Sequence, residues 1–220
     1  MGTIADNLAR IRQTLPEGVT LVAVSKFHPV EMIREAYEAG QRIFGESRPQ
    51  EMVAKWKVMP DDIQWHMIGH LQTNKIKYIA PFVAMIHSID SWHLAEAIDR
   101  EAAKVERTLD VLLQLHIAQE ETKFGWDAVE LERFLREGML QGLSHLRIRG
   151  LMGMASLTDD TEQVSGEFRR LHETFVRFRD QFLPAMDTLS MGMSGDYPLA
   201  LEQGSTLVRI GSSIFGERQY

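Results

Sequence analysis

The sequence predicts an α/β chain closed into a single eight-stranded parallel (β/α)8 barrel of the TIM type. Three observations predict it. Short β-branched apolar runs alternate with helical patterns from end to end, about eight such runs occur, and no linker, charge block or low-complexity segment divides residues 1–220. Eight strand–crossover units suit a closed barrel, a fold whose length starts at about 200 residues. The rival is an open doubly wound sheet, which usually has fewer strands.

Thr3 is placed as an N-cap with Asp6 three positions on, and Ile4, Leu8 and Ile11 recur at helical spacing, which predicts a helix over 3–14. The run at 19–24 is apolar and β-branched with no room for a helix. Pro29 fits the first turn of the next helix, Val30, Ile33 and Tyr37 share one face of it, and Gly40 stops it. Further strands are expected at 42–44, 64–68, 83–87, 110–117, 146–151, 186–189 and 206–210, with helices near 48–58, 73–80, 92–106, 128–137, 161–179 and 197–203. VLLQLHI is apolar at nearly every position, as a parallel strand covered on both faces should be. The helix at 161–179 carries the clearest stripe, Val164, Phe168, Leu171, Phe175 and Phe178, and Asp127 with Glu130 marks a helix start.

Composition narrows the function. Hydrophobic residues at 44% and charged residues at 25% are ordinary for a soluble globular protein. The net charge of −7 comes with acidic and basic residues interspersed, which argues against nucleic acid as a partner, because phosphate backbones select clustered Lys and Arg. A local basic pocket for one small anion stays open. Cysteine is absent, so disulfides, thiolate metal sites and cysteine nucleophiles are excluded and nothing points to an oxidising compartment. The first residues lack a signal-peptide core, Asp6 stands where a myristoylation motif wants Ser or Thr, and no run approaches the ~18 apolar residues of a membrane span. A cytoplasmic protein that engages no membrane is expected.

In parallel barrels the chemistry gathers at the C-terminal ends of the strands. Lys26 directly follows the first strand, where desolvation would disfavour its charged form and free an amine for imine formation. The plain alternative is a surface lysine. Arg209, Gly211, Ser212 and Ser213 end the eighth strand, the usual position of this fold's phosphate site, and Ser194 in the glycine-flanked seventh loop could complete the cradle. The alternative there is a glycine–serine turn before a last helix. MGMAS and MGMSG end the sixth and seventh strands, either as an old repeat or as similar close-packed ends, with methionines more often used for packing. His66 and His70 straddle a strand end without an HExxH pattern, so no metal site is expected. No serine has a nucleophile-elbow context, and Trp56, Trp65, Trp92 and Trp126 read as packing residues.

Eight ordered blocks then carry a resemblance: VAVSK at 22–26, FGES at 44–47, WHMIGHLQTNK at 65–75, HSID at 87–90, ETKFG at 121–125, RGLMGMA at 149–155, LSMGMSGD at 189–196 and GSTLVRIGSSIFGER at 204–218. Nearly the whole chain resembles the pyridoxal-phosphate homeostasis (proline-synthetase co-transcribed, YggS/PROSC) family. That resemblance implies a barrel like the N-terminal domain of alanine racemase, with pyridoxal 5′-phosphate (PLP) at its mouth. It implies Lys26 as the imine-forming residue, Arg209 opposite the pyridine nitrogen, and Ser194, Gly211 and Ser212 on the phosphate. Ser47 stands where members often carry Asn, which puts any contact assigned there in question.

On that resemblance the site describes a bound but weakly activated cofactor. Arginine only donates, so facing the ring nitrogen it keeps that nitrogen unprotonated, whereas a pyridinium serves best as an electron sink. The related racemases bring a second proton-transfer group from an extra domain and a partner subunit, and this chain ends at Tyr220, leaving Tyr197 as the obvious spare phenol, with a structural or phosphate-proximal role expected. A PLP carrier that buffers or delivers the cofactor, without a catalytic residue set of its own and with apo PLP enzymes as partners, is therefore expected. The alternative is a racemase-like PLP enzyme; an imine-forming aldolase without PLP stands further off. Glu46, His66, Asn74, Ser88 and Asp90 are expected around the rim, and a monomer is the simplest assembly.

Overall fold

The computed structural model describes residues 2–119 and 124–217; Glu121 to Lys123 of the ETKFG block and Arg218 lie outside the described residues. The chain runs α1 (Ile4–Thr14), β1 (Thr20–Val24), α2 (Val30–Glu38), β2 (Ile43–Glu46), α3 (Pro49–Trp56) and β3 (Gln64–Met67). A 3-10 turn at Thr73–Lys75 leads into α4 (Ile76–Ile79), then β4 (Met85–Ile89), α5 (Trp92–Lys104), β5 (Leu109–Gln114) and α6 (Ala128–Arg136). A second 3-10 turn at Met139–Gly142 precedes β6 (Leu146–Met152), α7 (Thr161–Gln181), β7 (Thr188–Ser190), α8 (Tyr197–Glu202), β8 (Leu207–Ile210) and α9 (Ser212–Phe215). The eight strands pair in parallel in chain order, and β8 closes on β1 with Val22 opposite Arg209 and Ala23 opposite Ile210. The expected barrel is the observed one.

Local chemistry sets the helix starts. Thr3 and Asp6 form both bonds of a capping box on α1, Asp127 accepts the N–H groups of Val129 and Glu130, and Asp160 does the same for Glu162 and Gln163. Pro29 stands one residue before α2, as its N-cap, and not within the first turn. The strand expected at 110–117 ends at Gln114. Leu115 N–H still donates to Met152 O of β6 at 2.8 Å, but on the other side Trp126 takes the strand end, its N–H donating to Gln114 O at 2.8 Å and its carbonyl accepting His116 N–H at 3.0 Å, so an isolated bridge replaces the strand.

The apolar core lies mainly between strands and helices. Val208 and Ile210 of β8, Phe44 of β2 and Leu151 of β6 pack there with Ile33, Met52, Phe168 and Phe178 of the surrounding helices. Each such side chain contributes roughly 1.5–3 kcal/mol on leaving water. A separate small cluster, Met85, Leu112 and Met152, with Met154 packed against it, lies apart from this layer. His66, His87, Ser190 and Arg209, all buried, are joined instead by hydrogen bonds across β3, β4, β7 and β8. Such a polar crossing is unusual for a fold filled by branched apolar layers, and through Arg209 it reaches the C-terminal mouth of the barrel.

Candidate functional site

A cavity of about 240 Å³ opens at the C-terminal ends of the strands, and all five sequence-predicted residues line it: Lys26, Ser194, Arg209, Gly211 and Ser212. Arg209 is buried, Lys26, Ser194 and Gly211 are half-buried, and Ser212 is exposed. The cavity thus grades from a desolvated arginine to a solvated serine. Ser47, Met154 and Met193 also line it, so two of the methionines expected to serve packing border the cavity as well.

Lys26 is mounted on a buried ionic knot. Ser25, the preceding residue, donates its hydroxyl to Glu46 Oε1 at 2.6 Å, while Lys55 Nζ donates to the Ser25 carbonyl at 2.8 Å, to Glu46 Oε1 at 2.8 Å and to Glu51 Oε1 at 2.6 Å. On the far side, Phe27 N–H donates to the same Glu51 Oε1 at 2.6 Å, and Phe27 holds the left-handed backbone angle φ 66° that turns the chain away from β1. Both neighbours of Lys26 are therefore clamped by α3, so the lysine leaves a rigid base. Burial pushes the Glu46 carboxyl up, opposed by the charge and hydrogen bond of Lys55.

The adjoining edge, next to β1 around the barrel, is built by the last two strand-end loops. Gly192, at φ 95°, turns the chain after β7 where a Cβ would meet Ala200 Cβ at 2.7 Å. Asp196 Oδ1 then accepts Met193 N–H at 2.6 Å, which fixes the loop that presents Ser194. Ser194 Oγ accepts Gly211 N–H at 3.1 Å. A Cβ on Gly211 would lie 3.2 Å from Val24 O, so a side chain there would crowd β1. The N–H groups of Ser212 and Ser213, in the first turn of α9, have no acceptor within the helix.

Arg209 is the electrostatic centre. Its Nη1 donates to Ser190 Oγ at 2.6 Å and its Nη2 to Gly153 O at 3.2 Å, and no carboxylate among the described residues forms an ion pair with it. Burial pulls its pKa down to about 10, with the charge of Asp196 acting in the opposite sense, so the guanidinium stays charged at neutral pH. A buried cation with neutral partners alone is costly unless a ligand supplies an acceptor.

The remaining expectations divide. Glu46 is buried against Lys55 and Ser25 and not on the rim, because it alternates with Gly45, whose missing Cβ faces Val22. His66 also departs from the rim: it bonds His87 and lines a second cavity of about 360 Å³ at the N-terminal mouth. Ser88 donates to the Gly69 carbonyl at 2.6 Å and Asp90 meets His70 at 2.9 Å, so both fix loops, and Asn74 is exposed on its 3-10 turn. Tyr197 opens α8 and its phenol meets Thr14 Oγ1 at 3.0 Å, a structural contact, the first of the two roles expected of it. Ser25, His87 and Ser190 fall within the quoted strand-end blocks but were given no role by sequence reasoning, and Glu51 and Lys55 escaped it. A lysine four residues after a glutamate, as in Glu51 and Lys55, reads as an exposed helix pair, and only the fold buries it.

Known proteins share this architecture. The family model of the alanine racemase N-terminal domain matches residues 1–219. A pyridoxal phosphate homeostasis protein of Aquifex aeolicus is 41% identical over 201 residues, covering 91% of this chain and 87% of the relative. The protein of the same name from Escherichia coli K12 is 36% identical over 234 residues, covering 100% and 99%. The solved structure of PipY of Synechococcus elongatus with PLP bound superposes with a TM-score of 0.89 at 41% identity, covering 97% of this chain and all of that one. Alanine racemase from Bartonella henselae, at 18% identity and a TM-score of 0.75 over 98% of this chain and 58% of its own, shares the fold. With a closed barrel, a lysine after β1 and full-length identity of this order, the chain belongs to the pyridoxal phosphate homeostasis protein family.

Proposed function

We propose that this chain holds pyridoxal 5′-phosphate on Lys26 and buffers or delivers it to apo PLP-dependent enzymes, as a cytoplasmic monomer without robust turnover of its own. The observation that carries this reading is the buried guanidinium of Arg209, which lines one 240 Å³ cavity with Lys26 and has no carboxylate partner among the described residues. The residues present fit the cofactor. An amine stands at one side, an anion cradle of Ser194, Gly211 and Ser212 at another, and a donor-only cation at the buried end.

When bound, PLP supplies an aldehyde that condenses with an amine and a ring that withdraws electrons. The chain's own groups restrict that chemistry. Arg209, which can only donate, would favour the unprotonated form of a ring nitrogen placed before it and so would weaken the electron sink. Ser194 and the N–H groups after β8 would hold the phosphate. The Aquifex and Escherichia relatives carry the homeostasis name, and PipY has been solved with PLP bound, which supports the carrier reading over the racemase one; the racemases are alike in fold alone.

The test is reduction with borohydride followed by intact-mass analysis. The native protein incubated with PLP should gain one reduced cofactor mapped to Lys26, and Lys26→Ala should gain none. An adduct retained by Lys26→Ala, or none on the native chain, would overturn the reading. Robust, Lys26-dependent exchange of an amino acid's α-proton in deuterated water would instead identify an enzyme.

A further inference from the structure

Four buried side chains from four strands form one hydrogen-bonded line. Arg209 Nη1 meets Ser190 Oγ at 2.6 Å, Ser190 Oγ meets His87 Nδ1 at 3.2 Å, and His87 Nε2 meets His66 Nδ1 at 2.9 Å. Ser190 and His87 are fully buried and His66 is 4% exposed. The line begins at the cavity that holds Lys26 and ends at His66, which borders the cavity at the other mouth. None of these three partners touches the Lys26 cavity itself.

The direction of the line is set from one end. A guanidinium has no acceptor, so Arg209 must donate to Ser190 Oγ. That leaves the serine proton for His87 Nδ1, which must then be bare. The His87 proton is therefore on Nε2 and is donated to His66 Nδ1, and His66 carries its own proton on Nε2. The reverse order would make Ser190 Oγ accept from both neighbours and strand its hydroxyl proton, with no other acceptor among the described residues. A stranded buried donor costs roughly 1–3 kcal/mol, enough to decide the direction.

We propose that Ser190, His87 and His66 are positioning residues for Arg209: a one-way relay that fixes both histidines as neutral Nε2–H tautomers and locks the guanidinium in the orientation it presents to the cavity. The inference extends the reading of Arg209 as the group that meets the cofactor ring, but the relay itself exists without any ligand. Gly153 O, 3.2 Å from Nη2, holds the other arm of the fork, so loss of Ser190 frees one arm and not both. The electrostatics agree with neutral imidazoles. Burial lowers both histidines, with the charge of Arg209 acting further on His87, while Asp110 acts the other way on His66.

Two measurements without PLP decide the relay. Long-range proton–nitrogen spectra of histidine-labelled native protein should place the ring proton of His66 and of His87 on Nε2 at neutral pH. Arginine-selective spectra should show slow rotation of the Arg209 guanidinium, quickened in Ser190→Ala and restored in Ser190→Thr, with urea midpoints confirming that each variant is folded. An Nδ1–H tautomer at either histidine, or guanidinium rotation unchanged in folded Ser190→Ala, would overturn the proposal. With PLP added, Ser190→Ala should bind about tenfold more weakly with an altered cofactor absorption band. If native protein fails to take PLP while the tautomers and the rotation behave as stated, the relay stands and the carrier reading falls.

Discussion

Ser194 Oγ accepts the backbone N–H of Gly211 at 3.1 Å, so the loops leaving β7 and β8 are joined by a hydrogen bond at the edge of the Lys26 cavity. The bond makes the proposed phosphate cradle a property of two loops at once. Ser194→Ala should cost about 1 kcal/mol of stability and weaken PLP binding roughly tenfold, read by urea denaturation and fluorescence titration. Gly211→Ala should leave the bond donor in place yet also weaken binding, since its Cβ would stand 3.2 Å from Val24 O. Unchanged affinity in both variants would place the phosphate elsewhere.

Lys26→Arg should abolish the borohydride-fixed adduct while leaving the urea midpoint nearly unchanged. A long basic side chain is retained at this half-buried position, but a guanidinium does not condense with an aldehyde at neutral pH. Lys55, the other lysine close to this strand end, should not substitute, because its ammonium is held by Glu46 and Glu51. Peptide mapping after reduction checks both statements.

Lys55→Met should destabilise the fold by about 3–5 kcal/mol at neutral pH, the cost of leaving a buried charge uncompensated. Glu46 is the charge left behind, fully buried and already pushed above its ordinary range by burial. Without Lys55 its carboxyl rises further, so the deficit should shrink as the pH falls and Glu46 protonates. The double variant with Glu46→Gln should recover part of the loss. Urea titrations at several pH values measure all three.

Acid should unfold the protein partly through its barrel interior. Burial lowers His66 from 6.5 to about 4, and His87 moves in the same direction. Between those values the unfolded chain binds the proton and the folded chain does not, so stability is full above the unfolded value and falls as pH drops toward 4. For His66 alone the loss is on the order of 3 kcal/mol. His66→Gln should flatten this limb of the stability–pH curve; an equally steep limb in that variant would assign the acid sensitivity to other groups.

Much of the fold was readable because it is a repetition of local rules. Capping residues such as Thr3 and Asp127 act within three residues of themselves, and apolar runs such as that of β5 need only length and flanking turns to be recognised. Boundaries slipped where tertiary bonds took over, as at Gln114, where Trp126 captures the strand end. The candidate site was legible to the extent that it lies immediately after strands. Lys26, Ser194, Arg209, Gly211 and Ser212 lie where the rule that strand ends converge points, and the family resemblance singled them out among the strand-end residues. Glu46 and His66 defeated the same rule because side chains alternate along a strand. Being at a strand's end does not say which side of the wall a residue faces.

By itself, the amino-acid order determined the alternation of strands and helices, the closed parallel barrel and the five residues that share its mouth. Only the tertiary structure decided what supports them: Lys55 beneath Lys26, and Ser190, His87 and His66 behind Arg209. The reason is the reach of the interactions. Caps and periodicity act over a few residues, whereas the His87–Ser190 hydrogen bond joins positions 103 apart, and nothing local in either segment encodes its partner.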